Sequence, residues 1–165
     1  MKRTLIVLWL CGLLPAVALG QETERVHGQG YFFVAPGAAV STHGGSLGLV
    51  HFGTGLEANI YKGLGIGGEI GYMAPYQYMS EGVGIFSLNG LYMFRRPGSH
   101  KAIPFVTGGY TLAFRGWLAG SLNLGGGIHY WFSRRCGLRF EFRDHISTQA
   151  WSDHLLQARI AFEIR

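Results

Sequence analysis

The sequence contains little charge and almost no cysteine. Only 14 % of the 165 residues are charged, well below the quarter that is usual for soluble domains. Cys11 lies in an apolar N-terminal segment, so its removal with that segment would leave Cys136 alone and exclude an intrachain disulfide. We therefore expect Cys136 to be a free thiol in a turn.

The chain also lacks a dense basic cluster and a metal or cofactor motif. Its formal net charge of +5 is spread along the sequence, so we expect no nucleic-acid partner. The seven histidines show no H-E-x-x-H and no Cys/His ligand spacing, so we expect no metal. The segment GLGIGG (63–68) matches the dinucleotide fingerprint, but a strand instead of a helix is predicted after it, so we expect no cofactor.

One long hydrophobic run occurs, and it lies at the N-terminus. Lys2 and Arg3 precede the apolar stretch TLIVLWLCGLLPAVA, and Ala18–Gly20 supply small residues where a signal peptidase would cut. The run has roughly 15 residues, whereas a membrane-spanning helix needs about 20. The sequence therefore predicts a signal peptide over 1–20 and one mature domain over 21–165.

The mature region lacks helical periodicity but alternates strongly with a period of two. Glycine is abundant, with 27 residues in the chain, and it interrupts nearly every candidate helix. A period of two is typical of strands. The predicted strands lie near 27–36, 47–61, 64–74, 82–94, 102–114, 118–132, 137–146 and 154–164.

The two faces of these strands differ in a way that a soluble barrel would not tolerate. In LRFEFR, for example, Leu138, Phe140 and Phe142 share one face, and the charged residues share the other. An eight-stranded barrel has an interior just wide enough for a few side chains, so the bulky apolar face must point outward. An outward apolar band with closed strands is stable in lipid. We predict an all-β, eight-stranded antiparallel up-and-down transmembrane β-barrel.

Aromatic residues near the predicted strand ends support a membrane position, because amphipathic rings collect at membrane interfaces. One set adjoins the turns that are rich in Arg and Lys: Tyr61, Tyr92, Phe94, Tyr130 and Phe132. A second set adjoins the other loops: Tyr72, Phe114, Trp117 and Trp151.

The signal peptide, the eight amphipathic strands and the final segment LLQARIAFEIR resemble the small outer-membrane barrel proteins of the OmpA/OmpX type, a porin-like group. The resemblance implies a Gram-negative outer-membrane location and a monomer. It also implies contacts with outer-membrane lipid, lipopolysaccharide and the barrel assembly machinery. Such proteins usually end in an aromatic residue, whereas this chain ends in Ile164-Arg165.

Seven charged residues fall on the predicted lumen face: Glu57, Glu69, Arg139, Glu141, Arg143, Arg159 and Glu163. Charges removed from water need partners, so a salt-bridged plug is the interpretation that we favour. It makes the protein a non-catalytic barrel with a structural or interaction role. The alternative is a narrow porin-like channel for small solutes.

His145 and Ser147 raise a second alternative. A His-x-Ser pair near the outer end of an eight-stranded barrel is similar to the pair in the lipid A deacylases, where the His activates the Ser and an acid orients the His. No acid has the required position here, because Glu163 is expected near the other end, Asp144 has the wrong parity and Asp153 is expected in the loop. We therefore expect no enzyme activity.

Overall fold

The structure is a computed structural model, and it describes residues 28–41, 45–94, 101–115, 118–147 and 153–165. The predicted signal peptide, Trp117 and Trp151 lie outside these residues. Among the described residues, no helix is long and apolar enough to cross a membrane.

Eight strands form one closed antiparallel barrel. Each strand pairs with the next along the chain, and β1 pairs with β8. The strands are β1 (Gly28–Ser41), β2 (Ser46–Tyr61), β3 (Leu64–Pro75), β4 (Val83–Met93), β5 (Ala102–Phe114), β6 (Leu118–Trp131), β7 (Cys136–Ser147) and β8 (Asp153–Ile164). The predicted up-and-down barrel is confirmed.

The largest boundary difference is at the end of β1, which continues to Ser41 instead of stopping near residue 36. The stretch from Gly37 to Ser41 is small and weakly alternating, so its sequence does not signal a strand. It is nevertheless paired on both sides, with Gly37 opposite Leu49 of β2 and Gln157 of β8. Backbone pairing with two neighbours therefore extends the strand without help from side-chain alternation.

The connections define two ends of the barrel. We call the end that holds Gly28 and Ile164 the terminal end, and the opposite end the loop end. At the terminal end β2 and β3 are joined by Lys62 and Gly63, which both have positive φ, at 39° and 91°. Two consecutive positive φ values belong to the tight hairpin turn that suits the twist of paired strands.

The outer face of the barrel is apolar, as the alternation predicts. Leu56 is 72 % exposed, Leu124 is 66 % exposed and Phe142 is 56 % exposed. Four aromatic residues of the terminal end also face outward, with the Tyr92 and Phe94 rings 5.0 Å apart and those of Phe132 and Phe162 6.3 Å apart. Since the sheet has no free edge, its backbone polar groups are paired within the barrel, as a lipid environment requires.

The interior contains large apolar side chains as well as glycine and polar residues. An apolar cluster fills it beside β4, β5 and β6, and consists of Leu91, Met93, Ile103, Phe105 and Trp131. A second one lies at β1 and β8, and consists of Tyr31, Phe33, Ala35 and Ala161. These side chains fit because glycines on other strands leave space. At Gly65, for example, a Cβ atom would lie 3.2 Å from Cγ of Leu91.

Candidate functional site

The structure places all seven predicted lumen charges inside the barrel, each at 6 % exposure or less. Arg139, Glu141 and Arg143 lie on β7, where a spacing of two residues keeps them on one face. Glu57 lies on β2, Glu69 on β3, and Arg159 and Glu163 lie on β8. We call these seven residues the lumen network.

Glu69 is the most heavily paired carboxylate of the lumen network. Arg143 donates to both of its oxygens, at 2.8 and 3.1 Å, and Arg159 does the same at 3.1 and 3.2 Å. The hydroxyl of Tyr31 donates a further hydrogen bond, of 2.7 Å, to Oε1. Paired donation by a planar guanidinium is a strong and directional way to hold a carboxylate, so Glu69 is fixed from three strands.

Glu141 lies between two arginines of its own strand. It accepts a 2.9 Å hydrogen bond from Nε of Arg139 and a 2.5 Å hydrogen bond from Nε of Arg143. Nη1 of Arg159 lies 3.7 Å from the same carboxylate. Glu141 therefore links the three guanidinium groups, which would otherwise repel one another.

The lumen network continues toward the terminal end through Arg139 and Glu57. Nη1 of Arg139 donates to Oε1 of Glu57, and the Gln29 amide donates to Oε2 of Glu57 at 3.0 Å. The same amide lies 3.4 Å from Glu163. Glu163 contacts the His129 ring, with Nδ1 at 2.8 and 2.9 Å from its two oxygens.

Aromatic rings hold the guanidinium groups from the sides. The Arg139 guanidinium lies 5.1 Å from the Tyr31 ring centre and 4.3 Å from that of Phe105. The Arg159 guanidinium lies 3.9 Å from the centre of Phe33. A cation over an aromatic face is attracted to it, more so where water is absent, so the inward aromatic residues support the lumen network as well as filling space.

The ion pairs cross the lumen. In a ring of eight strands β3 and β7 are opposite one another, and the Arg143–Glu69 pair joins them. The Arg139–Glu57 pair joins β7 to β2, and the Arg159–Glu69 pair joins β8 to β3. The arrangement can therefore cross-link opposite walls and fill the space between them.

Sequence reasoning did not assign Gln29, Tyr31 and His129 to the lumen network. Alternation predicts that His129 faces inward, which is correct since it is 0 % exposed. It cannot show that His129 of β6 meets Glu163 of β8, because these strands are not paired and their relative height depends on the tilt of the whole barrel. The inward parity of β1 was the available signal for Gln29 and Tyr31.

The positions of Glu163 and Asp144 do not support the deacylase hypothesis. His145 and Ser147 lie on the inward face of β7, and His145 is 5 % exposed. Glu163 lies at the terminal end with His129. Asp144 lies on the outer face, where its Oδ2 is 2.8 Å from Nδ1 of His154. Neither of these two acids is therefore placed to orient His145. Asp153 was expected in the loop, but it is the first residue of β8, where it pairs with Ser41 of β1.

The described residues also bring together a group that sequence spacing could not reveal. Glu57, His129 and Glu163 each offer one possible ligand atom. These three atoms lie within 4.8 Å of one another, and all three side chains are buried. These residues come from β2, β6 and β8, so their positions along the chain give no metal-binding pattern.

The fold has clear counterparts among solved structures. Neisserial surface protein A aligns over 86 % of this chain and 99 % of its own, with a TM-score of 0.68 and 14 % identity. The fold is that of the small outer-membrane β-barrels. The N-terminal barrel domain of Pseudomonas aeruginosa OprF aligns over 84 % of this chain and 100 % of its own, with a TM-score of 0.56 and 13 % identity.

An enzyme occurs among the structural neighbours as well. The outer membrane enzyme PagL aligns over 82 % of this chain and 99 % of its own, with a TM-score of 0.51 and 14 % identity. No family model matches the sequence, and no curated protein matches it either. Identities this low relate the folds alone, so the function has to be argued from the lumen.

Proposed function

We propose that the protein is a non-catalytic barrel of the bacterial outer membrane with a structural or interaction role, and that the lumen network plugs it. The observation that carries the proposal is the Arg143–Glu69 pair, which joins opposite strands at 2.8 Å in the middle of the lumen. The largest fully buried side chains include Arg139, Arg143 and Phe105. Side chains of this size leave little room for water in an eight-stranded barrel.

The outer face supports the proposed location. Its exposed Leu, Ile and Phe side chains would contact outer-membrane lipid and lipopolysaccharide, and aromatic residues sit where a membrane interface would lie. The regular alternation of β8 fits recognition by the barrel assembly machinery. We propose a monomer, since closure satisfies the strand edges within one chain.

Conductance in planar bilayers tests the plug. The wild-type protein is expected to give no stable conductance steps at either polarity. Arg143→Ala and Arg139→Ala shorten a side chain in the lumen network and should permit brief openings. Arg134→Ala, in the exposed turn before β7, is the matched control and should behave as the wild type does. Small stable steps in the wild type that Arg139→Ala alters would support the narrow-channel alternative instead.

Lipid A analysis tests the enzyme alternative separately. Cells that produce the protein are expected to keep all acyl chains of lipid A, as measured by mass spectrometry. Loss of one chain with the wild type, but not with Ser147→Ala, would establish the deacylase and contradict the non-catalytic proposal. An inert but folded protein is recognised by its different migration in heated and unheated samples on a detergent gel.

A further inference from the structure

Glu163 differs from the other three carboxylates of the lumen network. Glu57, Glu69 and Glu141 each pair with at least one arginine. Among the described residues no arginine pairs with Glu163, although its side chain is 0 % exposed. The partner of Glu163 is the His129 ring, at 2.8 Å. A buried carboxylate is stabilised by a partner charge or by a metal, so either a protonated His129 or a metal ion bound by both side chains would balance Glu163.

The surroundings of Glu163 offer metal ligands. Nδ1 of His129 lies 2.8 Å from Oε1 of Glu163, and ligand atoms of Glu57, His129 and Glu163 all lie within 4.8 Å of one another. A tetrahedral site with bonds of about 2.1 Å needs ligand atoms about 3.4 Å apart. To share one ion, the His129 and Glu163 atoms would move apart by about 0.6 Å, and any ligand atoms as far apart as 4.8 Å would move about 1.4 Å closer.

Gln29 supplies an independent observation. Its side-chain nitrogen lies between the two carboxylates, 3.0 Å from Glu57 and 3.4 Å from Glu163. Its amide oxygen, by contrast, is buried and has no hydrogen-bond partner. A buried acceptor without a partner is costly. Rotation of the amide by a half-turn would place this oxygen, a good metal ligand, where the nitrogen now lies.

We propose that Glu57, His129 and Glu163, together with the amide oxygen of Gln29, bind one divalent transition-metal ion of the Zn²⁺ type at the terminal end of the lumen. Imidazole and carboxylate ligands suit Zn²⁺. Ca²⁺ takes six to eight oxygen ligands and does not fit a four-ligand set with one nitrogen. The ion would balance the charge of Glu163 and link β1, β2, β6 and β8.

The test is a titration of the purified, chelator-treated protein with Co²⁺ in detergent micelles. The wild type is expected to bind one Co²⁺ per barrel, with the visible absorption of a low-symmetry site, and to release it to Zn²⁺. Loss of a second-shell partner alone weakens metal binding by about 10- to 100-fold. His129→Gln and Glu163→Gln, which remove ligands, should therefore weaken it by more than about 10-fold.

Two further histidines provide matched controls. His51→Gln changes another fully buried histidine of the lumen, and His154→Gln changes one on the outer face. Both are expected to keep the Co²⁺ absorption unchanged. A heat-dependent shift on a detergent gel shows which variants fold. If His129→Gln does not fold, Gln29→Leu replaces it, because it removes one ligand without adding charge, and it should also weaken binding.

Three outcomes would each overturn the proposed metal site. Absence of tight Co²⁺ binding by the wild type overturns the proposal, and so does absorption that survives in folded His129→Gln or Gln29→Leu. Loss of the absorption in His51→Gln would place the ion elsewhere and overturn it as well. The result is independent of the plug, since a barrel without metal can still be closed to ions.

Discussion

The lumen has a charged side and a neutral side, and they are stabilised differently. The charged side is formed by β2, β3, β7 and β8, which carry the lumen network, and by β1 between them. The neutral side is formed by β4–β6, where Ser87, Thr111, Asn123 and Asn89 form a chain of hydrogen bonds of 2.9 to 3.0 Å. Neither β4 nor β5 contains a charged residue. Ion pairs that cross the lumen therefore come from the charged side, and uncharged hydrogen bonds come from the neutral side.

The difference follows from the lengths of the side chains on the two sides. Guanidinium and glutamate side chains are long, so those of β7 and β8 reach β2 and β3 across the lumen. The hydroxyl and amide side chains of the neutral side are short, and their hydrogen bonds stay within β4–β6. Changes on the charged side should thus affect the whole barrel, and changes on the neutral side should act locally.

The largest effect is expected from Arg143→Ala on the charged side. It would leave Glu69 and Glu141 each without one guanidinium partner in a buried site. Breaking a buried pair in this way costs about 3–5 kcal/mol of unfolding free energy. Urea unfolding in lipid vesicles measures it, and Arg134→Ala, in an exposed turn, should change the unfolding free energy by less than about 0.5 kcal/mol. A loss for Arg143→Ala as small as that of the control would contradict a structural role.

An intermediate effect is expected where glycine makes room for the charged side. Gly67→Ala would place Cβ 2.9 Å from Cγ of Glu57, whereas Gly68→Ala points outward and has its nearest neighbour at 3.8 Å. Overpacking costs about 1–3 kcal/mol, so Gly67→Ala should lower the unfolding free energy and Gly68→Ala should not. Equal effects of these adjacent substitutions would show that the lumen is not closely packed.

An effect smaller than that of Arg143→Ala is expected on the neutral side. Thr111→Val keeps the shape of the side chain but removes hydrogen bonds to Ser87 and Asn123. An unsatisfied buried partner costs about 1–3 kcal/mol, so Thr111→Val should destabilise the barrel less than Arg143→Ala does. The same urea measurement ranks the two variants. A reversed order would mean that the hydroxyl and amide chain is the main support.

The sequence was sufficient for the barrel but not for the connections inside it. Period-two alternation and glycine spacing predict eight strands, outward Phe140 and Phe142, and inward charges, because each depends on neighbours along one strand. The contacts of Glu69 with Arg143 and Arg159 depend on tilt and closure of the whole sheet. So does the meeting of Glu57, His129 and Glu163, whose spacing along the chain gives no metal-binding pattern.

The inward apolar residues of the neutral side could not be predicted from single strands either. Alternation predicts an inward face of glycine and polar groups, but Leu91, Met93 and Ile103 also point inward on β4 and β5. They fit because glycines on other strands, such as Gly65 beside Leu91, leave the necessary volume. The sequence of one strand does not show how much space the residues of other strands leave in the lumen.

A double-mutant cycle between Arg143 and Glu69 tests the central claim most directly, because these residues come from opposite walls. Unfolding free energies are measured for Arg143→Ala, Glu69→Ala and the double variant. Residues in one ion-pair network show interaction energies of about 0.5–3 kcal/mol. We predict a coupling in that range, with the double variant less destabilised than the sum of the single variants. Additive losses would contradict a lumen network that joins the two walls.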